Sequence, residues 1–269
     1  MKTSVVEKEY LNLNKAIVEL QENWKRSLPE DAIQPKIDKA ALEAGVPVVA
    51  LTNFCFNIPL FLHWIEEVLV LLVDSNEEIT AKLAKIPAIL TEEVGKRWID
   101  EALAINQVYF LNFAEENGIE EWIPQFLAET AIRPYLQHTA EIVQEHVENA
   151  KSGNGCPVCG EPARLAVLDD DGKKAVHCPR CLAHWHAKRL ECVHCGNADH
   201  QKMKLITVEG DSASQIQVCD ECNGYIKVID TRQYIEKPQA ALLDLHSLHL
   251  DFVAQENGYQ APGIKKTKN

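Results

Sequence analysis

Four pairs of cysteines, each pair separated by two residues, constrain this chain more than any other feature of its sequence. A turn with two intervening residues can direct both sulfurs at one ion, and two such turns supply the four thiolates of a tetrahedral site. The spacing therefore predicts two metal sites, each built from two pairs. The eight predicted ligands are Cys156, Cys159, Cys178, Cys181, Cys192, Cys195, Cys219 and Cys222.

The pairs are arranged as a tandem repeat. Spacers of 18, 10 and 23 residues separate them, and a spacer of 18 residues is typical of four-cysteine metal sites. Gly160 and Gly196 follow equivalent cysteines, where glycine allows a left-handed turn that points backbone amides at sulfur. The simplest pairing joins the first pair with the second and the third with the fourth. The interleaved pairing, first with third and second with fourth, is an open alternative.

Both predicted sites are closed to water. Four thiolates complete the coordination of a zinc ion, and such sites usually stabilise small folds. A single iron takes the same ligands in the same geometry, so the spacing leaves iron and zinc open. A closed site has no free position at which water is activated, and the sequence has no recognisable nucleophile–base pair. We therefore predict no enzyme activity and no catalytic residues, and consider structural, electron-transfer and redox-sensing roles.

The chain is predicted to be a cytoplasmic protein. Residues 1–10 lack the apolar segment of a secretory signal, and clustered cysteines in a reducing compartment favour metal over disulfides. Residues 44–65 carry no charge but contain two prolines and several polar side chains. We expect them to form buried core rather than a membrane span, with Cys55 as a buried, unreactive thiol.

The charge distribution argues against a nucleic-acid partner. The formal net charge is −13, and residues 1–150 carry the whole excess, with 12 basic and 25 acidic side chains. Residues 151–269 hold 15 of each, and metal-bound thiolates would make this region negative too. Binding to phosphates needs a basic surface instead.

The periodicity predicts helices first and short strands around the cysteines. One helix is expected to start at Thr91, to continue through an apolar stripe to Tyr109 and to stop at Asn117 and Gly118. Another helix is predicted over 239–256. Its expected buried stripe consists of Leu242, Leu245, Leu248, His249 and Phe252.

Together these patterns predict an α+β fold with segregated domains. Residues 1–150 are expected to form a helical, acidic domain. Residues 151–232 are expected to form two tandem zinc-ribbon-like four-cysteine modules, after a Gly-rich linker at 151–155. A C-terminal helix and a tail are predicted at 233–269.

Several segments resemble the formate dehydrogenase accessory proteins of the FdhE family. They are the cysteine motifs CPVCG, HCPRC, ECVHCG and CDEC, the connector AHWHAKRLEC, and the segment LLDLHSLHLDFVAQENGY. The resemblance covers residues 156–260 closely, and residues 28–150 in kind and length.

This resemblance implies properties that the spacing alone does not. Family members pair a helical domain with two rubredoxin-like modules, for which iron is proposed, and are cytoplasmic factors needed for active formate dehydrogenase. For this chain the resemblance implies a maturation factor that binds the molybdenum or tungsten catalytic subunit of a formate dehydrogenase. It favours iron over zinc and implies neither membrane insertion nor nucleic acid, and it specifies no oligomeric state. A rubredoxin-type electron carrier and a zinc-ribbon nucleic-acid-binding protein are the alternatives.

Overall fold

The computed structural model describes residues 6–75, 77–150 and 155–260. Packing divides the chain into two compact units. The helical unit comprises Lys8–Gln34 and Thr52–Thr139, and the sheet unit comprises Met1–Glu7, Pro35–Leu51 and Ala140–Asn269. The domain boundaries proposed from the sequence near residues 150 and 232 stay predictions. The predicted linker falls largely on residues 151–154, outside the described residues.

Aromatic side chains form the centre of the helical unit. The Trp24 ring stacks on Trp64 with 5.2 Å between centroids, and Trp64 lies 5.8 Å from the ring of Tyr135. Trp24 Nε1 also donates a hydrogen bond of 2.7 Å to Glu67. Among the described residues, the helices before the sheet are α1 (Lys8–Ser27), α2 (Lys39–Glu43), α3 (Ile58–Ser75), α4 (Glu77–Leu83), α5 (Ile86–Ile89), α6 (Glu92–Leu103), α7 (Gln107–Asn117) and α8 (Trp122–Val147). Of these, α2 and the last turns of α8 belong to the sheet unit.

The helix predicted from Thr91 to Asn117 is in fact two helices, α6 and α7. Thr91 caps the start and Gly118, with φ +57°, ends the pair as expected. Between them Ile105 adopts a φ of +54°, and Asn106 Oδ1 accepts a hydrogen bond from Tyr109 N. The prediction was wrong because the apolar stripe continues across the break, while the capping residue that starts α7 lies off the stripe.

Cys55 is exposed, so its prediction as a buried thiol was wrong. It directly follows the short strand β2 (Asn53–Phe54), which pairs with β1 (Ile33–Gln34). Neighbouring side chains of an extended segment point to opposite sides. Phe54 and Phe56 stack with 5.0 Å between their rings, so they occupy one side and the thiol faces solvent.

None of the described helices is both long and apolar enough to cross a membrane.

The sheet unit contains one six-stranded sheet with the order β5-β4-β3-β8-β7-β6. All neighbouring strands are antiparallel except β3 and β8, which are parallel. The strands are β3 (Leu165–Leu168), β4 (Lys174–His177), β5 (His184–His186), β6 (Met203–Val208), β7 (Asp211–Cys219) and β8 (Tyr225–Asp230).

The predicted tandem repeat appears in this sheet as two three-stranded meanders. The first consists of β3, β4 and β5, and the second of β6, β7 and β8. The two meanders join where β3, the first strand of the first repeat, pairs with β8, the last strand of the second repeat. Leu165 lies opposite Lys227 in this pair. The two modules expected from the sequence therefore share one continuous sheet.

The end of α8 covers the β5 edge of the sheet. The Gln144 side chain donates to His184 O at 2.7 Å and accepts from His184 N at 3.1 Å. His186 N donates to Glu148 O at 2.8 Å. These bonds satisfy backbone groups that would otherwise invite pairing with another chain.

The C-terminal helix is divided at Ser247 into α9 (Ala240–His246) and α10 (Leu248–Glu256). Both pack on one sheet face, with Leu243 and Leu250 buried against Ile216 and Tyr225. The predicted stripe was wrong, since its member Phe252 is 60% exposed. The buried face instead carries two carboxylates, Asp244 and Asp251, that pair with a sheet lysine, so hydrophobicity alone selected the wrong side.

Candidate metal centres

The structure brings the eight predicted ligands together in two groups. Site 1 consists of Cys156, Cys159, Cys178 and Cys181, and site 2 of Cys192, Cys195, Cys219 and Cys222. Within each group all four sulfurs lie within 4.8 Å of one another, so each can hold a metal ion. The sequential pairing is thus confirmed and the interleaved alternative is wrong.

All four cysteine pairs form the same turn, which we call a knuckle: the two cysteines, the two residues between them and the two that follow. The first cysteine donates its N–H to the carbonyl of the last residue in the knuckle. These bonds join Cys156 to Glu161 (2.7 Å), Cys178 to Ala183 (2.9 Å), Cys192 to Asn197 (2.9 Å) and Cys219 to Gly224 (3.0 Å). One backbone shape therefore presents every pair of ligands.

The residue after the second cysteine adopts a left-handed conformation in every knuckle. The values of φ are +78° at Gly160 and +71° at Gly196, as the sequence predicted. Leu182 at +65° and Asn223 at +59° adopt the same conformation. The sequence interpretation missed these two because neither is glycine, although the repeat itself placed them at equivalent positions.

The sulfur geometry fits a tetrahedral four-thiolate ion. Four sulfurs at about 2.3 Å from one ion stand about 3.8 Å apart. In site 1, Cys156 and Cys181 are separated by 3.5 Å. In site 2, Cys192 and Cys222 are separated by 3.7 Å, and Cys195 and Cys219 by 3.8 Å. Zinc and iron both accept this donor set.

Burial makes two thiols of site 1, those of Cys156 and Cys181, poor acids in the absence of a metal. Burial raises the pKa of Cys156 and Cys181 well above the usual value. Burial opposes ionisation of Cys178 too, but hydrogen bonds from its three partners outweigh this and lower its pKa. On metal binding the remaining thiol protons are released, and four thiolates surround one cation.

Site 1 is enclosed. All four of its cysteines are buried, and Cys159 is only 1% exposed. Its first knuckle accepts hydrogen bonds from a short segment far upstream, where Val48 N donates to Pro157 O at 2.9 Å and Val49 N donates to Val158 O at 3.0 Å. Arg180, inside the second knuckle, is also buried. Residues 47–49 carry no local sequence signal that associates them with this site, beyond their unbroken apolar character.

Site 2 is partly open to solvent, since Cys195 is exposed and Cys222 is partly exposed. Asn197 Nδ2 donates to the Cys219 sulfur at 3.7 Å. His194 Nε2 contacts the Tyr225 carbonyl oxygen at 2.9 Å, and this bond ties the third knuckle to β8.

The C-terminal residues brace the last knuckle of site 2. Tyr259 donates its hydroxyl proton to Asp220 Oδ1 at 2.8 Å. Gln260 N donates to Asn223 O, also at 2.8 Å. These contacts connect the segment that follows Gly258 to the last knuckle of site 2.

The histidines of the connector do not join either group of ligands. His184 stacks on His177 with 5.3 Å between rings, and His186 lies 3.2 Å from Glu148. Trp185 is buried opposite Val176 in the sheet.

Lys174 is also buried and donates a hydrogen bond to Gln217 Oε1 at 2.8 Å. Burial lowers the pKa of Lys174 to about 8.

A helical unit joined to tandem four-cysteine modules on one sheet defines a class of metal-binding proteins with rubredoxin-like or zinc-ribbon-like knuckles. The sequence model described as FdhE, C-terminal domain matches residues 190–266, a segment that contains the second repeat with α9 and α10. The resemblance predicted from the cysteine motifs and the connector is confirmed: the chain is similar to FdhE proteins.

Individual relatives show the same similarity. The protein FdhE homolog of Aquifex aeolicus is 34% identical over 150 residues, which cover 54% of this chain and 52% of that protein. The homolog of Shewanella sp. (strain MR-4) is 25% identical over 204 residues, which cover 72% of this chain and 63% of that protein. The chain thus matches between about half and two thirds of these relatives' length.

A solved structure confirms the fold. The crystal structure of the FdhE protein from Pseudomonas aeruginosa matches 94% of this chain and 86% of its own, with a TM-score of 0.64 and 21% sequence identity. The segregated α+β architecture, with its helical part, its two four-cysteine groups and its C-terminal helical segment, is therefore confirmed.

Proposed function

We propose that this protein is an accessory factor in the maturation of a formate dehydrogenase, and that it binds the catalytic subunit of that enzyme in the cytoplasm. The names of its relatives support the assignment to this process. The observation that carries the proposal is the pair of closed four-cysteine sites on one sheet. Such sites have no free coordination position for substrate or water, so the protein acts by binding rather than by catalysis.

The metal at the two sites is proposed to be iron. Bound there, iron would supply a one-electron redox couple, and zinc would supply only structural stability. The cysteines of each site hold the ion, and residues 47–49 with Arg180 exclude water from site 1. Metal analysis and visible absorption of anaerobically purified protein test this part, because ferric ion in four thiolates absorbs visible light and zinc does not.

A maturation factor has to bind an immature enzyme and release the finished one, which requires different affinities for the two states. A one-electron change at a partly exposed site alters the local charge and so provides such a difference. Equal affinity for the catalytic subunit with oxidised and with reduced protein would contradict this part of the proposal.

Anaerobic co-purification from the native host tests the partner. The tagged full-length protein is expected to enrich a molybdenum- or tungsten-type catalytic subunit, identified by mass spectrometry, over an untagged strain. The Cys55→Ser variant, altered outside both sites, should capture as much as the wild type, and a Cys192→Ser/Cys195→Ser variant should capture less. Enrichment of nucleic acid or of small redox carriers without such a subunit would contradict the proposal.

A rubredoxin-type electron carrier is the second candidate. The exposure of Cys195 and Cys222 favours it, because electrons pass most readily through an exposed edge of a site. It predicts a reversible potential and rapid reduction by a redox protein. It assigns no role to the helical unit, which is why maturation is preferred.

A further inference from the structure

The tandem repeat allows the two metal sites to be compared position by position. Both are held by knuckles with the same hydrogen bonds and the same left-handed residues. Differences between them therefore arise from their surroundings rather than from the backbone that presents the ligands.

The first difference is the cover over the first knuckle of each repeat. In site 1, the segment 47–49 donates two backbone hydrogen bonds to the knuckle, and a Cβ on Gly160 would lie 3.4 Å from the Pro47 ring. At the equivalent Gly196, no atom of the described residues lies within 4 Å of the position that a Cβ would take. The third knuckle thus lacks the cover that the first one has.

The second difference is the exposure of equivalent ligands. Cys159 is buried at 1% exposure, whereas Cys195, the corresponding ligand of site 2, is exposed. Removing a ligand from site 1 requires the surrounding structure to open, whereas Cys195 is reachable from solvent without any such opening.

A third feature of the surroundings of site 2 is a cavity of about 350 Å³. Trp185 and Ala187 form part of its wall, and Cys192, Val193 and Gly196 of the third knuckle form another part. A small ligand or a side chain therefore has room directly against the turn that carries two of the four sulfurs.

A further difference is electrostatic. Arg180 is buried within the second knuckle, and its Nη1 lies 3.5 Å from the Cys159 carbonyl oxygen. A guanidinium at this place offsets the negative charge of a four-thiolate site. The equivalent residue of site 2 is Glu221, which is exposed and pairs with Lys202 at the surface. Site 2 therefore has no buried guanidinium at the position that Arg180 occupies in site 1.

We propose that the two sites have different roles: site 1 is a permanent structural site, and site 2 is a ligand-exchange site at which Cys195 leaves the metal and a thiolate from another molecule takes its place. The inference rests on the metal-binding part of the proposed function and is independent of the identity of the enzyme partner.

The exchange is balanced without an oxidant or a reductant. The incoming thiol loses its proton to water, and its sulfur forms a bond to the metal. The bond between the metal and Cys195 Sγ breaks, and the released thiolate takes a proton from water. The metal keeps four thiolates and its oxidation state throughout, and Cys192, Cys219 and Cys222 keep it attached to the protein.

Metal release from the full-length protein tests this inference. The protein, in a Cys55→Ser background to remove the exposed thiol outside the sites, is loaded with two equivalents of Zn²⁺ under reducing, anaerobic conditions. A chromogenic chelator is then added with a small thiol. One equivalent is expected to leave at least about tenfold faster than the other, because site 1 releases its ion only when the local structure opens.

Alkylation identifies the site that exchanges. Iodoacetamide followed by peptide mass spectrometry should modify Cys195 first, at the rate at which the fast equivalent of zinc leaves. Cys195→Ser should accelerate the fast phase further or abolish it and leave the slow phase unchanged. The matched variant Cys159→Ser should affect the slow phase. If this variant fails to fold, the order of alkylation in protein with both sites unsubstituted tests the inference instead.

Release of both equivalents in one phase, or alkylation of Cys159 as early as Cys195, would overturn the inference. Either result would leave capture of a catalytic subunit unaffected, so the failure of this inference is distinguishable from failure of the partner assignment. Failure to bind two equivalents of zinc would overturn the inference together with the metal-binding part of the proposed function.

Discussion

The ammonium group of Lys227, fully buried on β8, lies 2.7 Å from the carboxylate of Asp251 on α10. It is also 2.7 Å from Asp244 on α9, whose other oxygen accepts a hydrogen bond of 2.8 Å from Arg164. Tyr225 donates to Asp251 at 2.9 Å. One buried lysine thus fixes both C-terminal helices to the sheet.

Lys227→Met should strongly destabilise the sheet unit. The substitution removes the cation that Asp244 and Asp251 share on a buried face and leaves Asp244 with Arg164 alone. Breaking a buried pair in this way costs about 3–5 kcal/mol. Urea unfolding monitored by circular dichroism measures the loss. Lys204→Met removes a cation that pairs with Asp220 at the surface and should change little. Equal effects of the two substitutions would contradict the role assigned to Lys227.

The stability of the sheet unit should fall in acid through Asp244. Burial alone would raise the pKa of this carboxyl, but attraction by Arg164 and Lys227 outweighs burial and lowers the pKa. A carboxylate whose pKa is lowered on folding adds stability above the pKa of the unfolded chain, about 4. This stability is lost as the pH falls through the lower folded value.

Unfolding free energies measured across pH 2–6 by urea titration, at about one-unit intervals, test this expectation. Asp244→Asn should be less stable near neutral pH and should have a shallower dependence on pH than the wild type. Metal release in acid affects both proteins, so the difference between their slopes reports Asp244. Identical slopes would exclude this carboxylate as a source of the acid sensitivity.

Replacing Cys192 and Cys195 together by serine should unfold the second repeat, because the free energy of metal binding is part of the free energy of folding in such modules. The helices α9 and α10 pack on β7 and β8 and should be lost with it. Far-ultraviolet circular dichroism and limited proteolysis should still detect the helical unit, and Cys55→Ser should behave as wild type. Loss of all helical signal would show that the helical unit does not fold alone.

Gly224→Ala should weaken metal binding at site 2. A Cβ at this position would lie 3.1 Å from His194 Cδ2 and 3.3 Å from the Cys222 sulfur, so a ligand has to move. Gly210→Ala is the matched control: at φ +77° it strains the backbone, by about 1 kcal/mol, but no atom of the described residues lies within 4 Å of the added carbon. Competition with a chromogenic chelator should show a loss of affinity only for Gly224→Ala.

Val48→Pro should make site 1 release its metal faster. Proline removes the N–H that bonds to Pro157 O, and so loosens the cover over the first knuckle. Val48→Ala keeps the N–H and trims only the side chain, so it separates the hydrogen bond from packing. The slow phase of zinc release should accelerate in the proline variant more than in the alanine variant. Equal rates in both would assign the cover to packing alone.

The sequence predicted how the eight cysteines are grouped because cysteine spacing is a local signal. A Cys-x-x-Cys turn fixes its own geometry, so the knuckles and the tandem repeat could be inferred before any fold was known. The parallel pairing of Leu165 with Lys227 could not, since it joins strands from different repeats and leaves no local pattern. The cover that residues 47–49 form over site 1 could not be predicted either, because Val48 lies far from Pro157 in sequence.

The errors about helices have a common physical cause. The stripe containing Phe252 was chosen by hydrophobicity, but burial on the sheet face was determined by ion pairs of Asp244 and Asp251 with Lys227. At Ile105 the apolar periodicity continued across a break that one left-handed residue and one cap produce. Apolar periodicity shows how much of a helix face is hydrophobic. A buried ion pair or a single capping residue changes this pattern too little to be detected in the sequence.

The pairing of β3 with β8 determines when the six-stranded sheet can close during synthesis on the ribosome. β3 is the first strand of the sheet to be synthesised, and its parallel neighbour β8 is the last. At roughly 5–20 residues per second, translation needs several seconds to cover the segment between them. During that interval the nascent first repeat presents an open strand edge of the kind that pairs with other chains. Closure of the sheet therefore occurs only once both repeats have been made.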